Sequence, residues 1–161
     1  MAMTMKTDGL DELGKQLARM GDKAQDIASS ALFDGAGVMA DGINGGVKNI
    51  RTDTFRYAAG GKTRLPSPQE KAALERKAGI AKFRKSTDGV DTLVGFGRSG
   101  YTQIAGKRKA TIVIARSINS GTSFMKRQPV IRKAVTQNTA AAEKAIISKA
   151  NQMIEEITTG Q

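Results

Sequence analysis

Carboxylates, hydroxyls and lysine amines are the only side chains here that could do acid–base or covalent chemistry, because the 161 residues include no His and no Cys. Without them there is no imidazole catalysis, no thiol nucleophile, no disulfide and no ligand for most transition-metal sites. The groups that remain do not assemble into a catalytic pattern, since no paired Asp/Glu motif recurs beside a Ser/Lys set. A Gly-x-Ser-x-Gly elbow is missing. Gly95-Phe96-Gly97-Arg98-Ser99-Gly100 imitates a dinucleotide fingerprint, but no helical period follows Gly100, and that fingerprint needs a helix opening on its third glycine. The expectation is a protein that is not an enzyme and uses no metal and no cofactor.

Charge says more than catalysis does. The net charge of +11 is unevenly spread: residues 1–50 carry −2, residues 51–133 carry +14 and residues 134–161 carry −1. The excess is a localised basic surface, which suits an acidic partner or a nucleic acid. Arg56, Lys62 and Arg64 fall in one basic stretch, Lys107, Arg108 and Lys109 in a second, and Lys126 and Arg127 in a third. These eight are the candidates to face DNA or a protein partner, although most charges in such runs only solvate a surface. A stand-alone nucleic-acid binder is the alternative function. Against it, no helix-turn-helix, zinc or RNA-recognition signature is present, and two Tyr and five Phe offer few stacking faces.

The length suits one domain, with mobile basic loops expected at about 51–66 and 97–109. Met1-Ala2-Met3-Thr4-Met5-Lys6 lacks an apolar h-region and no run reaches the length of a membrane span, so the expectation is a soluble chain in the cytoplasm where it is made, with no membrane partner.

The elements that must position these residues follow from periodicity. Thr7 or Asp8 can cap a helix carrying Leu10, Leu13, Leu17 and Met20 on one face, with Gly21 ending or bending it and Asp22 capping the next segment. From Asp22 to about Ile50 a second helical period runs through Gly35, Gly37, Gly42, Gly45 and Gly46, each of which costs about 1 kcal/mol against Ala in a helix interior. Either a partner helix packs closely on the stripe Ala28, Ala31, Gly35 and Gly42, or the helix frays at Gly42. Ser67-Pro68-Gln69-Glu70 combines a capping box with Pro at the first position and predicts a short helix to about Ala78. Strands are expected at 80–86, at Val90–Phe96 and, most clearly, at Ala110–Ile118, where Ile112, Ile114 and Ile118 alternate. Pro129 to about Thr158 reads as a long helix with Gly160 beyond its end. The fold class is then α+β: a small antiparallel sheet of three to four strands packed against a long N-terminal and a long C-terminal helix.

The junction from Ile118 to Ala134 carries a resemblance. Gly121-Thr122, then Gln128-Pro129, then Arg132 and Ala134, are similar to the signature of the neck or tail-completion proteins of long-tailed bacteriophages, also called minor tail components. Those proteins show an acidic or Asn residue and Gly-Thr after a strand, then Gln-Pro-Phe-Leu-Arg-Pro-Ala opening a C-terminal helix. Val130 and Ile131 replace the usual Phe-Leu here, and Lys133 replaces the second Pro. Gly9-Leu10-Asp11-Glu12-Leu13, followed by Leu17, Met20 and Gly21-Asp22-Lys23-Ala24, also resembles the family's opening. The resemblance implies a structural virion protein, made in the host cytoplasm, that forms a homo-oligomeric ring, usually a hexamer, at the head–tail junction or the top of the tail tube. Its implied partners are copies of itself, the neighbouring head–tail connector and tail-tube proteins, and DNA passing through the lumen. The helix at Ser67–Ala78 is then a local elaboration.

A chain with no His, no Cys and no paired carboxylates should melt at the same temperature with or without a chelator. A drop of several degrees in a calorimetric scan would reveal an oxygen-ligand metal site.

Overall fold

The computed structural model describes residues 8–54, 63–75, 77–86, 89–97 and 100–159, with the side chains of all of these except 8–20, 22 and 86. Helix α1 runs unbroken from Asp8 to Lys48, 41 residues, or about 60 Å at 1.5 Å per residue. The break expected at Gly21 and the fresh start at Asp22 do not occur, and the helix does not fray at Gly42. The cap expected from Thr7 lies outside the described residues. Helix α4, Val130–Thr159, packs antiparallel to α1, and theirs is the most extensive contact between any two elements.

That contact explains the glycines. A Cβ on Gly46 would stand 2.8 Å from Ala134 Cβ, one on Gly35 would overlap Ile146 and approach the Ala142 carbonyl oxygen to 2.9 Å, and one on Gly42 would overlap the Asn138 side chain. Three glycines on one stripe therefore let two backbones approach more closely than any other residue would allow. Gly37 and Gly45 sit off that stripe with open space around them.

Between the long helices lie smaller elements. Helix α2, Pro68–Ala72, begins with the expected capping box: Glu70 N–H donates to Ser67 Oγ, and Ser67 N–H donates to the Glu70 carboxylate. It ends well short of Ala78. Ala73 and Leu74 turn into the core instead, and the amide of Asn44 on α1 captures both backbone groups of Ala78, accepting from its N–H at 3.1 Å and donating to its C=O at 3.2 Å. Ala78 is thereby held in an extended strand.

Among the described residues, the expected sheet of three to four strands is replaced by three two-stranded antiparallel ladders. Strands β1 (Ala78–Ile80) and β4 (Val94–Phe96) pair, as do β2 (Arg84–Ser86) and β3 (Gly89–Asp91). The two ladders make one ribbon with a register shift. Ile80 faces Val94 and Arg84 faces Asp91, so one strand carries an extra residue, the signature of a bulge. Between the ladders Ala81 N–H donates to the Leu93 carbonyl and Thr92 Oγ1 donates to the Ala81 carbonyl, both at 2.8 Å. The strands expected at 80–86 and 90–96 are thus the two arms of a hairpin.

Residues 97–109 are not an open loop throughout. They hold most of the hairpin β5 (Tyr101–Ile104) and β6 (Lys107–Ala110), closed by the two-residue turn Ala105-Gly106 with φ of 51° and 75°. Both residues are left-handed, as a type I′ turn demands. The clearest expected strand, Ala110–Ile118, is helix α3, Thr111–Ser120. Thr111, Ile114, Ala115 and Ile118 are buried, whereas Ile112 and Val113 are exposed. That spacing of three, one and three lines one helical face, and the alternation of isoleucines concealed it.

The core lies at the C-terminal end of α1, where Val47 and Ile50 meet Leu74, Ile104, Ile114, Ile118 and Met125, with Phe96, Val130 and Ile131 packed against them. The molecule is a two-helix stalk carrying a compact head. Among the described residues, no helix is long and apolar enough to cross a membrane.

The glycine contacts separate two classes of substitution. Gly35→Ala and Gly46→Ala should each destabilise the fold, and Gly35→Leu should do so by on the order of 1–3 kcal/mol or more through overpacking. Gly37→Ala and Gly45→Ala should instead stabilise by up to about 1 kcal/mol. Urea melts of the four alanine variants would check the split.

Candidate functional site

The junction from Ile118 to Ala134 connects two helices, not a strand and a helix. Each of the resemblance residues has a definable place in it. Gly121 ends α3 with φ of 77°, and its Cα lies so close to Arg127 that a Cβ would stand 3.0–3.2 Å from that residue's backbone and Cβ. Thr122 and Met125 close a tight turn, with Met125 N–H donating to Thr122 Oγ1 at 3.0 Å and Thr122 N–H donating to the Met125 carbonyl at 3.0 Å.

Gln128 acts as a piece of backbone. Its side-chain oxygen accepts from Arg51 N–H and its amide nitrogen donates to the Arg51 carbonyl, both at 2.9 Å, while its own N–H donates to the Ile118 carbonyl. Pro129 stands immediately before α4, where a helix tolerates a residue without an N–H but where proline has no side chain to cap with. Asn119 supplies the cap from the end of α3: its Oδ1 accepts from Arg132 N–H at 3.1 Å. Ala134 is buried against Gly46. Together these contacts clamp the start of α4 to the end of α1.

The basic candidates divide into two groups. Arg56 and Lys62 lie outside the described residues. Arg64 is not an open cation: its guanidinium forms a fork on Glu70, with contacts of 2.7 and 2.8 Å, and its side chain is 18% exposed. Lys109 reaches the same carboxylate at 3.4 Å. Lys107, Arg108, Lys126 and Arg127 are exposed. The backbone of Arg64 pairs with the 124–126 stretch, since Arg64 N–H donates to the Phe124 carbonyl at 3.0 Å and Lys126 N–H donates to the Arg64 carbonyl at 2.8 Å. Segment 63–66 is therefore a strap pinned between α2 and the junction, and the expected mobile loop is fixed at this end.

Hairpin geometry sorts the remaining lysines. Ile104 faces Lys107 and Thr102 faces Lys109 across the ladder; Ile104 is buried and Lys109 half-buried, so that face turns inward at those two residues, while Lys107, beside the turn, stays exposed. The opposite face carries Tyr101, 49% exposed, with the Arg108 guanidinium 4.2 Å from its ring centroid. This cation–π contact holds Arg108 outward.

Glu70 is the residue that sequence reasoning undervalued. It is read easily as a capping-box member, but nothing in the local pattern signals that it is 3% exposed and is the point on which Arg64, Lys109 and the Ser67 N–H converge. Burial pushes its carboxyl up. The hydrogen bonds from Arg64 and Ser67, with the attraction of the Arg64 and Lys109 charges, outweigh burial and bring it from 4.5 down to about 2. Among the described residues no group of three or more Asp or Glu could hold a metal ion.

Comparison of the chain with protein-family models, with curated proteins and with solved structures finds no match to any of them. The functional reading therefore rests on the residues themselves.

Because the folded carboxyl titrates below its unfolded counterpart, Glu70 contributes stability that is fully present above about pH 4.5 and is lost as the pH falls toward 2. A shift of this size corresponds to a few kcal/mol, on the order of 3. Glu70→Gln should flatten the acid limb of the pH–stability curve in that window. Glu70→Ala should cost on the order of 3–5 kcal/mol at neutral pH by leaving Arg64 half-buried and unpaired from this carboxylate. Chemical denaturation at several pH values would measure both.

Proposed function

We propose that this chain is a structural virion protein, one subunit of a homo-oligomeric ring at the head–tail junction or the top of the tail tube of a long-tailed bacteriophage, where it completes or joins the tail. The observation that carries this reading is the junction at 119–134. Its residues Gly121, Thr122, Gln128, Pro129, Arg132 and Ala134 resemble the family signature in order and spacing, and they work together as one clamp with Lys126 and Arg127 projecting beside it.

The architecture supports a role in assembly. A stalk of two long helices with a compact head presents much surface for its volume. Large apolar side chains stay exposed, among them Phe33, Leu93, Val113, Phe124 and Ile147. Apolar exposure on this scale favours contact with other subunits. The exposed cations Lys107, Arg108, Lys126 and Arg127 would face an acidic neighbouring ring or the phosphates of DNA in the lumen. Arg64 and Lys109 hold the strap and hairpin in place instead.

Changing Lys107, Arg108, Lys126 and Arg127 together to Ala should spare folding, because all four are exposed and none pairs with Glu70. A phage carrying the quadruple change should accumulate unjoined heads and tails or fail to retain DNA. In vitro, binding to connector or tail-tube protein should weaken most at low salt, with the deficit shrinking as salt screens the interaction. Images of tailed particles bearing a labelled subunit should show density at the neck or the top of the tube. Label elsewhere in the particle, or normal infectious yields from the quadruple variant, would refute the reading.

A further inference from the structure

The two long helices do not end together. Gly46 lies against Ala134, Gly42 against Asn138 and Gly35 against Ile146. Continuing this antiparallel register one residue for one places Thr159, the end of α4, opposite roughly residue 21 of α1. Residues 8–20 of α1 therefore extend beyond α4 by about 20 Å of helix. In sequence, this overhang carries Leu10, Leu13, Leu17 and Met20 at alternating spacings of three and four. The same seam continues as Ala24, Ile27 and Ala31. Large residues thus occupy the seam where α4 is absent, and the seam turns mainly to alanine where α4 lies alongside.

The second half of the observation is a groove. Along the stalk, Ala28 and Leu32 of α1 and Ile146, Ala150 and Ile154 of α4 line an open trough of about 490 Å³, and every residue lining it is Ala, Ile or Leu. Ile154 at its edge is 37% exposed. From Ile146 to Ile154 the trough runs for about 12 Å, and from Leu10 to Met20 the overhanging seam runs for about 15 Å. The four alanines of the trough lining leave room for large residues such as those of the seam. Such a trough is the receiving half of a helix-in-groove contact.

The overhang cannot fill its own groove, because α1 is one continuous helix and both features lie on it. We infer that the overhanging first turns of α1 in one copy dock into the α1–α4 groove of a second copy. The contact is head-to-tail, so it repeats from subunit to subunit and closes a ring if the rotation allows. This inference deepens the ring reading above and rests on it, by naming the surface through which the subunits join.

Sedimentation of the full chain at tens of micromolar tests it. The parent should sediment well above its 17.1 kDa monomer. Leu13→Asp/Leu17→Asp should disable the overhang and give a monomer with an unchanged thermal midpoint, since these positions lie far along α1 from the head. Ile154→Asp should disable the groove and also give a monomer. Mixing the two should form a dimer and nothing larger, because only one competent overhang then meets one competent groove. A monomeric parent overturns the inference and leaves a different protein as occupant of the groove. An assembled parent whose two variants remain assembled overturns the surface but not the ring. The labelled-particle images decide the neck reading independently of either outcome.

Discussion

The carboxylate of Glu70 is the interaction on which the head of this protein depends. A single buried charge is unfavourable alone, and this one is tolerated because Arg64, Lys109 and the Ser67 N–H converge on it. Each partner belongs to a different piece of chain. Ser67 starts α2, Lys109 lies on the β5–β6 hairpin, and Arg64 is in the strap whose backbone pairs with the junction before α4. One side chain thereby ties together α2, the hairpin and the strap, and through the strap's backbone the junction. Lys71, one residue on, donates to the carbonyls of Lys48 and Ile50 and so fastens α2 to the end of α1.

The stalk obeys a different constraint. Its stability comes from side chains of α4, Ile146, Asn138 and Ala134, packed directly on the bare backbone of α1 at Gly35, Gly42 and Gly46, an arrangement that offsets the poor helix propensity of glycine with dispersion contacts along several turns. Head and stalk meet at the clamp. Gln128 holds the chain just beyond α1 and Asn119 caps α4, so two amide side chains that stand in for backbone help join head to stalk. A third amide, Asn44, fixes the β1–β4 ribbon to α1 in the same way. Amides suit this task because one planar group offers a donor and an acceptor at the spacing of a peptide unit.

The separation of held from free cations bears directly on function. Basic residues near one another in sequence do not share a role: Lys109 turns inward with Ile104, whereas Arg108 is held outward against Tyr101. A surface meant for an acidic partner benefits from such ordering, since cations already fixed by a ring or a strand lose less side-chain entropy on binding.

Both long helices, the capping box at Ser67–Glu70, the close-packing stripe on α1 and the uneven charge were legible in the amino-acid sequence, because caps and periodicity act within one or two turns. The sequence also located the two arms of the β-ribbon while leaving its bulge unseen. Tertiary structure alone decided that residues 111–120 are helix. The run Thr-Ile-Val-Ile-Ala satisfies a strand by alternation and a helix by its spacing of three and four, and only a core offering one helical face could choose between them. It alone split the expected sheet into separate ladders and buried Glu70. These outcomes depend on groups brought together from positions tens of residues apart, and no local pattern encodes which charges will meet in the folded chain and which will remain in water.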